Sequence, residues 1–508
     1  MEKGDSLQRL CNQNLNQLQA DISVPAYDRD QVKTGIVHIG PSAFFRGHLA
    51  VYVDDLLAKG EKDWGICAIS LRSSGARDAL KDQDYLYSVV EQSTQGNKAR
   101  VIGSVKDVLV AAENPQVVLD RMADPDIKLV TLTVTQSGYY YKNGSLDFDD
   151  EDIKADLLKA DEPTSTVGYI VKALEMRMER GLEPFRVMSC DNLPCNGKIL
   201  KNVVLAYAAQ RSQALHDWID AQVDFPSTMV DRIVPKTTGE HTQKHHDSYQ
   251  LDDKWPIYTE KFRQFVIEKP EKGPAFPPLD QSGALLTDNV AAYELMKIRM
   301  LNGIHMALGI SGRMGGYTYA HEAVADPKIR TYITDLMGEM EATLPPIQGV
   351  SIADYKACIL ERLDSPFMKD ELARLARNGV DKVDSRFIQP LRDAVGGQTP
   401  FKNLSFAVAS WVQYLKQSGP AFDIMDDKAT RNGFPDEALR NGATTGFVTA
   451  HPEIFGRDLA SSKKLLGCLA HHLGTICQKP QNIVEALPAQ QSAAPSAPVA
   501  TGQRPQIS

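Results

Sequence analysis

Short apolar runs mark the first half of the chain, and stretches of helical periodicity separate them. The runs occupy residues 36–39, 66–71, 100–103, 128–135 and 185–190. They are rich in β-branched residues and nearly continuous, as strands buried on both faces should be. Helical spacing of apolar residues is found in residues 49–57, 171–180 and 198–209. This alternation predicts an α/β domain built on a parallel sheet with helices on both faces.

The strands fade after about residue 285, and helical periodicity takes over. The helical segments are residues 293–308, 328–342, 352–363, 367–376, 406–415 and 461–476. A Pro-rich stretch, residues 270–278, precedes the change. We therefore predict a sheet domain over residues 1–285 and a mostly α-helical domain over 286–485. Residues 486–508 are rich in Pro, Ala, Gln and Ser, which predicts a disordered tail.

Composition narrows the class of protein. Of 508 residues, 43% are hydrophobic and 24% are charged, as in ordinary globular proteins. The 65 acidic and 56 basic residues leave a net charge of −9, so we expect no nucleic-acid partner. No apolar run approaches the roughly 18 residues of a membrane span, and no signal-peptide pattern begins the chain. The seven cysteines are scattered and form no C-x-x-C pair, which predicts reduced thiols, a cytoplasmic location and no zinc site.

The turn after the first strand is the first candidate for chemistry. Gly40 and Gly47 flank the start of a helix, where a pyrophosphate can be seated. The G-x-G-x-x-G pattern is incomplete, because Ser42 and Phe45 occupy its second and third glycine positions. A plain strand-to-helix turn therefore stays an alternative. Arg46 and the histidine two residues later favour an anionic ligand, since acidic residues suit a helix start better.

A polar set inside an apolar helix is the second candidate. At about 100° per residue, Lys297, His305 and Asn302 fall at roughly 0°, 80° and 140° around the helix axis, so all three are predicted on one side of the helix. A lysine removed from water has a lowered pKa and can act as a base near neutral pH. An asparagine amide can donate to a developing alkoxide. The alternative is an exposed lysine beside a buried asparagine and a core histidine.

For three further polar segments, the sequence allows both a binding site and a purely structural role. Residues 189–197 follow a strand, where ligands bind in open α/β sheets, but Asp, Asn and Pro there also suit a helix cap and turn. For Asp231 and Arg232, an internal ion pair is favoured over a site. A stretch with three histidines is read as an exposed loop rather than a metal site; it contains His241, His245 and His246.

Six motifs in order resemble one family, the polyol-specific long-chain dehydrogenases, which include mannitol 2-dehydrogenases and fructuronate reductases. The motifs are IVHIGPSAFFRGH at 36–48, TLTVT at 131–135 with Gly138-Tyr139, SCDNLP at 189–194 with Asn196-Gly197, MVDRI at 229–233, FRQFVIE at 262–268, and Lys297-x4-Asn302-x2-His305. The resemblance runs from about residue 36 to about residue 473.

The resemblance implies a Rossmann-type NAD(P)-binding domain, a mostly helical C-terminal domain, an active site in the cleft between them, and zinc-independent hydride transfer. Lys297 is then the general acid/base, and Glu294 passes its proton to solvent. Asn192 and Asn302 polarise the substrate oxygen, and His305 orients the substrate. The implied substrate-binding residues are Asp231, Arg374 and Lys382.

The implied cofactor contacts are Gly40, Ser42, Ala43, Phe44, Arg46, Arg72 and Ser73. The chain departs from the family pattern at Gln136, where an acidic residue is frequent, at Ile304 and at Arg377. No acidic residue follows the second strand, where Arg72 and Ser73 stand instead. Such a residue binds the ribose hydroxyls of NAD and repels the phosphate of NADP. We therefore expect NAD(H) as cofactor and leave NADP(H) open.

These inferences converge on an NAD(P)-dependent secondary-alcohol dehydrogenase acting on a small sugar alcohol or keto-sugar, as a monomer or weak oligomer. D-mannitol and D-fructose are the leading pair, because Asp191-Asn192-Leu193-Pro194 is closer to mannitol 2-dehydrogenases. Fructuronate reductase is the second reading. A catalytically silent nucleotide-binding scaffold is the third, and the retention of Lys297 argues against it.

Overall fold

The computed structural model describes residues 7–159, 161–416, 444–478 and 483–488. The chain forms two compact units, Met1–Ala291 and Ala292–Ser508. The limits predicted for the two domains stay a prediction. Residues 489–508, which make up most of the predicted disordered tail, lie outside the described residues.

A five-stranded parallel sheet forms the centre of the first unit. Its strands are β1 (Thr34–Ile39), β2 (Gly65–Ser70), β3 (Val105–Val110), β4 (Leu129–Leu132) and β5 (Arg186–Ser189). They are ordered β5-β4-β1-β2-β3, with Ile39 opposite Leu132 on β4 and opposite Ile69 on β2. The chain moves outward from β1 to β3 and then crosses back to β4. The carboxyl ends of β1 and β4 therefore flank a crevice of the kind in which α/β sheets bind ligands.

Alternate residues of the central strands enter two separate cores. Val37 and Ile39 pack with Val130 on one face, and Ile36 packs with Ile66 on the other. Helices cover both faces, which explains why the strands lack polar alternation. The helices of this unit are Ala43–Gly47, Leu49–Ala58, Gly75–Leu80, Pro115–Met122, Glu151–Leu158, Thr166–Glu179, Asn196–Arg211, Gln213–Gln222 and Gly239–Tyr249. The predicted α/β fold class is confirmed.

The remaining strands of the first unit form smaller sheets. One has the order Ile257–Glu260, Tyr87–Gln92, Lys98–Ile102 and Ile22–Ser23, and another has Thr228–Asp231, Gln264–Glu268 and Leu285–Thr287. Two pairs complete the set, Gln8–Arg9 with Leu251–Asp252 and Tyr141–Lys142 with Ser145–Leu146.

One strand was wrongly expected in the parallel sheet. The run 100–103 belongs to Lys98–Ile102, which pairs antiparallel with Tyr87–Gln92 in the four-stranded sheet. The strand at the edge next to β2 is instead β3, whose polar residues Lys106 and Asp107 interrupt the apolar run. An edge strand needs less apolar sequence than a central one, so its pattern was weaker.

The described part of the second unit is helical. One long helical stretch comprises Val290–Met296, a π-helical section Lys297–Gly303, and Ile304–Met314. The other helices are Ala320–Ala325, Pro327–Glu341, Ile352–Leu363, Leu372–Ala376, Gly379–Val383, Gln389–Gly396, Lys402–Leu415, Thr444–Ala450, Pro452–Ala460 and Lys463–Gln478, and a second π-helical section is Asp384–Ile388. The mostly helical character predicted for this region is confirmed.

The helix expected over 367–376 is shorter than predicted. It covers only Leu372–Ala376, because Pro366 precedes it and Lys369 adopts a left-handed φ of 43°. Glu371 then forms an isolated bridge to Tyr319. Local backbone geometry, rather than apolar spacing, sets the start of this helix.

Candidate functional site

Gly40 begins the crevice turn at the end of β1. Its φ is 94°, a left-handed value that favours glycine. A Cβ atom placed on it would lie 2.3 Å from the carbonyl oxygen of Thr133, the residue after β4. The two loops therefore approach each other at a distance that only glycine allows. The structure therefore has the glycine-containing turn between strand and helix that the sequence predicted.

The helix Ala43–Gly47 starts immediately after this turn. Ser42 caps it, since its Oγ accepts the N–H of Phe45 at 3.2 Å, and the same hydroxyl shares a hydrogen bond with Thr133 Oγ1. Ser42 is exposed, and Ala43 and Phe44 are half-buried. The first-turn N–H groups at these positions have no acceptor within the helix itself. This end of the crevice can therefore receive an anionic group.

Arg46 occupies a different environment from the one predicted. Its side chain is 1% exposed, and its guanidinium lies 3.5 Å from the centre of the Trp255 ring. Nη1 donates to the Trp255 carbonyl oxygen at 2.5 Å, and burial lowers the pKa of Arg46 to about 10. The arginine therefore anchors the helix to the Trp255 loop, and we leave its side chain out of the cofactor contacts proposed below.

Arg72 and Ser73 follow β2 and are exposed. Arg72 Nη2 donates to Asp152 Oδ2 at 2.7 Å, and Arg77 forms an ion pair with Glu113. The structure thus gives both arginines acidic partners that lie far away in the sequence. The segment presents paired arginines instead of an unopposed positive charge.

Asp191 joins the loop after β5 to the loop after β4. Its carboxylate accepts the N–H of Val134 at 2.9 Å and the N–H of Thr135 at 3.1 Å. It also accepts the hydroxyl of Tyr139 at 2.8 Å. Burial raises the pKa of Asp191, with these donors opposing the shift. The next residue, Asn192, is exposed at the carboxyl edge of the sheet, where the sequence predicted a ligand-binding position.

Asp231 ends the strand Thr228–Asp231 and Arg232 follows it, and both residues are buried. Nη2 of Arg232 contacts Glu91 Oε1 at 2.5 Å, and Nη1 donates to the Gly47 carbonyl oxygen at 2.7 Å. The sequence favoured an internal ion pair for Asp231 and Arg232, and the structure pairs this arginine with Glu91, 141 residues away along the chain. The ion pair connects Arg232 to the strand Tyr87–Gln92, and the hydrogen bond to Gly47 connects it to the end of the helix that follows the crevice turn.

In the second unit, the π-helical section changes the geometry expected for the lysine set. The α-helical angles expected for these residues are wrong for Lys297–Gly303, which is π-helical. A π-helix bonds residue i to residue i+5, so residues five apart are adjacent on its surface. Lys297 and Asn302 are five apart and lie on one face, closer in angle than the α-helical estimate. Such sections are frequent at functional sites.

The candidate residues of this helical stretch differ in burial. Glu294, Lys297 and His305 are 9%, 6% and 8% exposed, whereas Asn302 is half-buried. The exposed-lysine alternative is therefore wrong. Gly303 packs closely, since an added Cβ would lie 3.2 Å from the Arg386 carbonyl oxygen, and this arginine belongs to the second π-helical section. Two irregular helical sections thus pack directly against each other.

Arg374 and Lys382 lie on short helices near this stretch. Arg374 is exposed and forms an ion pair with Asp370, and Lys382 Nζ donates to the Arg377 carbonyl oxygen at 2.7 Å. The helix Leu372–Ala376 packs against Ile304–Met314 so closely that a Cβ on Gly309 would lie 2.8 Å from the Ala376 nitrogen. The helix carrying Arg374 is therefore packed against the helix that contains His305.

The histidine stretch was wrongly interpreted as an exposed loop. It forms the helix Gly239–Tyr249, capped by Thr238 and His241. His245 is fully buried and contacts the Tyr249 ring. Among the described residues there is no group of three or more His, Cys, Asp or Glu side chains placed to hold a metal ion. Nor is any described helix long and apolar enough to cross a membrane.

A doubly wound sheet with a glycine turn at its switch point defines a nucleotide-dependent α/β enzyme class. The Mannitol dehydrogenase Rossmann domain family matches residues 34–280, and the Mannitol dehydrogenase C-terminal domain family matches residues 289–477. The chain belongs to the mannitol dehydrogenase family and is an oxidoreductase. The resemblance drawn from the six motifs is therefore confirmed.

Named relatives and solved structures agree with this membership. Mannitol 2-dehydrogenase of Phaeosphaeria nodorum is 39% identical over 92% of this chain and 83% of its own. That of Aspergillus oryzae is 37% identical over 90% and 94%. The Pseudomonas fluorescens mannitol 2-dehydrogenase ternary complex with NAD and D-mannitol matches with a TM-score of 0.79 and 35% identity, covering 94% of this chain and 98% of that one. A D-sorbitol dehydrogenase in substrate-free form matches with a TM-score of 0.88 and 30% identity, covering 94% and 100%.

Sequence reasoning missed several residues that shape the site. Trp255 and Asn196 were given no role, although Asn196 was part of a quoted motif. The π-helical section had no sequence signal, because its apolar spacing is compatible with an ordinary helix. The Asn196-Gly197 pair at a helix start was the one available hint, since glycine there indicates close backbone approach.

Proposed function

We propose that this protein is an NAD(H)-dependent dehydrogenase that interconverts a hexitol and its ketose, with D-mannitol and D-fructose as the leading pair. Membership of the family supports the reaction class. The named relatives and the solved ternary complex with NAD and D-mannitol support the substrate pair. We further propose a zinc-independent mechanism in which Lys297 is the general acid/base.

The residues of the crevice turn fit a dinucleotide. Gly40 keeps the turn free of a Cβ that would meet Thr133, and exposed Ser42 has a side chain small enough for a pyrophosphate to approach. The N–H groups of Ala43 and Phe44 are placed to donate to it. Arg72 and Ser73 are the residues proposed near the ribose. When bound, NAD accepts a hydride from the alcohol carbon.

Lys297 is proposed to hold the proton that leaves the alcohol hydroxyl. Its side chain is 6% exposed, so bulk water has little access to the proposed base. Glu294 lies three residues before it on the same helical stretch, so the two side chains are on adjacent positions of one face. We propose that Glu294 passes the proton onward to solvent.

Two asparagines and a histidine are proposed to act on the substrate oxygen. Asn302 and Asn192 donate amide hydrogens to the oxygen as negative charge develops on it. His305 orients the sugar, and Asp231, Arg374 and Lys382 bind its other hydroxyl groups. If the substrate is instead a sugar acid such as fructuronate, Arg374 and Lys382 pair with its carboxylate.

One observation carries the mechanistic part of the proposal. The π-helical section places Lys297 and Asn302 five residues apart on the same face of a buried helix. A base and a hydrogen-bond donor are then held toward one point by a single rigid element. An arrangement of this kind lowers the cost of orienting catalytic groups.

The experiment that tests the proposal measures NADH oxidation with a panel of ketoses and keto-acids. The panel contains D-fructose, fructuronate, tagaturonate, xylulose and ribulose. We expect D-fructose to have the highest kcat/KM. A preference for fructuronate would establish the second reading, and no turnover with any sugar, despite NADH binding, would favour the silent scaffold.

Lys297→Ala tests the proposed base. We expect kcat to fall about 10²–10⁴-fold, with NADH affinity unchanged and partial recovery on addition of a primary amine. Lys328→Ala is the matched control, because Lys328 is an exposed lysine of the same unit. Wild-type turnover in Lys297→Ala would show that another group is the base.

A further inference from the structure

The side chain of Asn196 is fully buried and makes an unusual number of contacts. Nδ2 lies 3.0 Å from each of three oxygens, the Asp191 carbonyl, the Thr228 carbonyl and Thr228 Oγ1. Oδ1 accepts the N–H of Thr228 at 2.9 Å. The amide orientation is therefore fixed by one donor on its oxygen side and three acceptors on its nitrogen side.

These contacts are directed across the fold and not along the helix. Asn196 is the first residue of the helix Asn196–Arg211, and the N-cap residue before it makes no side-chain cap. Instead of capping its own helix, Asn196 connects the loop after β5 to the strand Thr228–Asp231. Thr228 strengthens the connection, because its Oγ1 donates to the Ser189 carbonyl oxygen at 2.6 Å.

The neighbouring glycine makes this connection sterically possible. A Cβ atom on Gly197 would lie 2.4 Å from the Phe225 carbonyl oxygen and 2.7 Å from the Ser227 nitrogen. The helix start is thus pressed against the backbone that leads into the strand. We call the hydrogen bonds of Asn196 to Asp191 and Thr228 the Asn196 bracket. Gly197 permits the close backbone approach that this bracket requires.

Two residues of the proposed site are attached to the two ends of this bracket. Asn192 directly follows Asp191, whose carbonyl oxygen Asn196 holds. Asp231 lies three residues beyond Thr228 on the same strand. We propose that Asn196 is a positioning residue that sets the distance between Asn192 and Asp231, and so aligns the substrate for the reaction. This inference rests on the proposed function.

Substitutions at the two ends of the bracket separate positioning from general stability. Asn196→Asp keeps the shape but places a carboxylate oxygen against three acceptors, and Asn202→Asp is the control at an exposed asparagine of the same helix. Thr228→Val removes Oγ1 while keeping a β-branched strand residue, and Thr228→Ser keeps the hydroxyl.

The measurements are kcat and KM for D-fructose, the dissociation constant of NADH, and the isotope effect with deuterated NADH. We expect Asn196→Asp to lower kcat about 10²-fold, the size expected of a misplacement of about 1 Å. KM for D-fructose and the isotope effect should rise, while NADH binding should change less than about twofold because the Gly40 turn is not part of the bracket. Thr228→Val should show the same changes to a smaller degree, with Thr228→Ser near wild type.

Other results of the same measurements would overturn the proposal for Asn196. If Asn196→Asp folds and keeps its kcat and isotope effect, or if NADH binding weakens as much as kcat, Asn196 does not position the substrate. If Asn196→Asp does not fold, equal kinetics of Thr228→Val and Thr228→Ser overturn the proposal. If the wild-type protein turns over no sugar, the proposed function is refuted. The comparisons between variants test only the role of Asn196.

Discussion

Asp191 provides the most direct test of how the crevice is built. The substitution Asp191→Ala removes the acceptor of three hydrogen bonds, from the N–H groups of Val134 and Thr135 and from the Tyr139 hydroxyl. Nothing else in the loop changes. Because Asn192 follows directly, the same substitution loosens a residue proposed to contact the substrate.

The energetic cost can be assigned bond by bond. The N–H of Val134 is partly buried, so losing its partner costs about 1–3 kcal/mol. The N–H of Thr135 is exposed and water replaces its partner at little cost. Tyr139 keeps Ser189 as a partner, so losing its hydrogen bond to Asp191 costs about 1 kcal/mol of stability. Removing a half-buried carboxylate with a raised pKa offsets part of this loss of stability, since the cost of desolvating the carboxylate disappears. The net local destabilisation is then about 2–3 kcal/mol.

Hydrogen exchange measures this loss directly. A change of about 2–3 kcal/mol corresponds to roughly 30- to 150-fold faster exchange at the amides of Val134 and Thr135. Peptides from the four-stranded sheet serve as the internal control and should not change. Tyr139→Phe is the matched variant, because it removes one of the three bonds and should cost about 1 kcal/mol.

Two results would refute this reasoning. Unchanged exchange at Val134 in Asp191→Ala would mean that the carboxylate does not hold the loop. Equal effects of Tyr139→Phe and Asp191→Ala would mean that the tyrosine, and not the two backbone bonds, provides the connection. Asp191→Asn should have a smaller effect than the alanine variant, because its amide oxygen can still accept the Val134 N–H and the Tyr139 hydroxyl, whereas its amide nitrogen cannot accept the Thr135 N–H.

Three other predictions concern the cofactor, metals and pH. Ser73→Asp, which places a carboxylate after β2, should lower kcat/KM with NADPH more than with NADH; an unchanged ratio would show that this segment is not near the ribose. Treatment with EDTA should leave turnover unchanged, whereas a loss that zinc restores would contradict the zinc-independent proposal. Burial lowers the pKa of His38 and His48 to about 3, so the unfolded chain takes up protons near pH 6.5 while the folded chain does not. The free energy of unfolding should fall as pH drops below about 6.5, by about 2 kcal/mol per histidine at pH 5, and His38→Gln should have a shallower pH dependence in thermal melts.

The family and the architecture were accessible from the sequence because they depend on local pattern. The runs that became β1, β2, β4 and β5 are buried on both faces, and such strands need nearly continuous apolar residues. The glycine at position 40 was informative for a similar reason, since a left-handed turn requires it. Order and spacing of motifs then distinguished this family from other α/β enzymes.

Side-chain partners could not be predicted, because most are distant in the sequence. Arg46 was expected near an anion, and it lies instead against Trp255, 209 residues away. Arg72 was expected to contact the cofactor, and the structure gives it a partner, Asp152, that is 80 residues away. No periodicity or local propensity encodes which of many acidic or aromatic residues the packing brings to a given arginine.

The order of residues along the chain already shows which groups are available, namely a lysine and an asparagine within an apolar helix and a glycine turn after a buried strand. The geometry of these groups depends on contacts between segments that are distant in the sequence. The π-helical section that brings Lys297 and Asn302 onto one face has a local sequence compatible with an α-helix, and it is packed against a second such section through Gly303. The bracket formed by Asn196 likewise exists only because the helix start and a strand 32 residues later pack together. Helical propensities differ by fractions of a kcal/mol per residue, so packing across the fold decides between conformations that the local sequence allows equally.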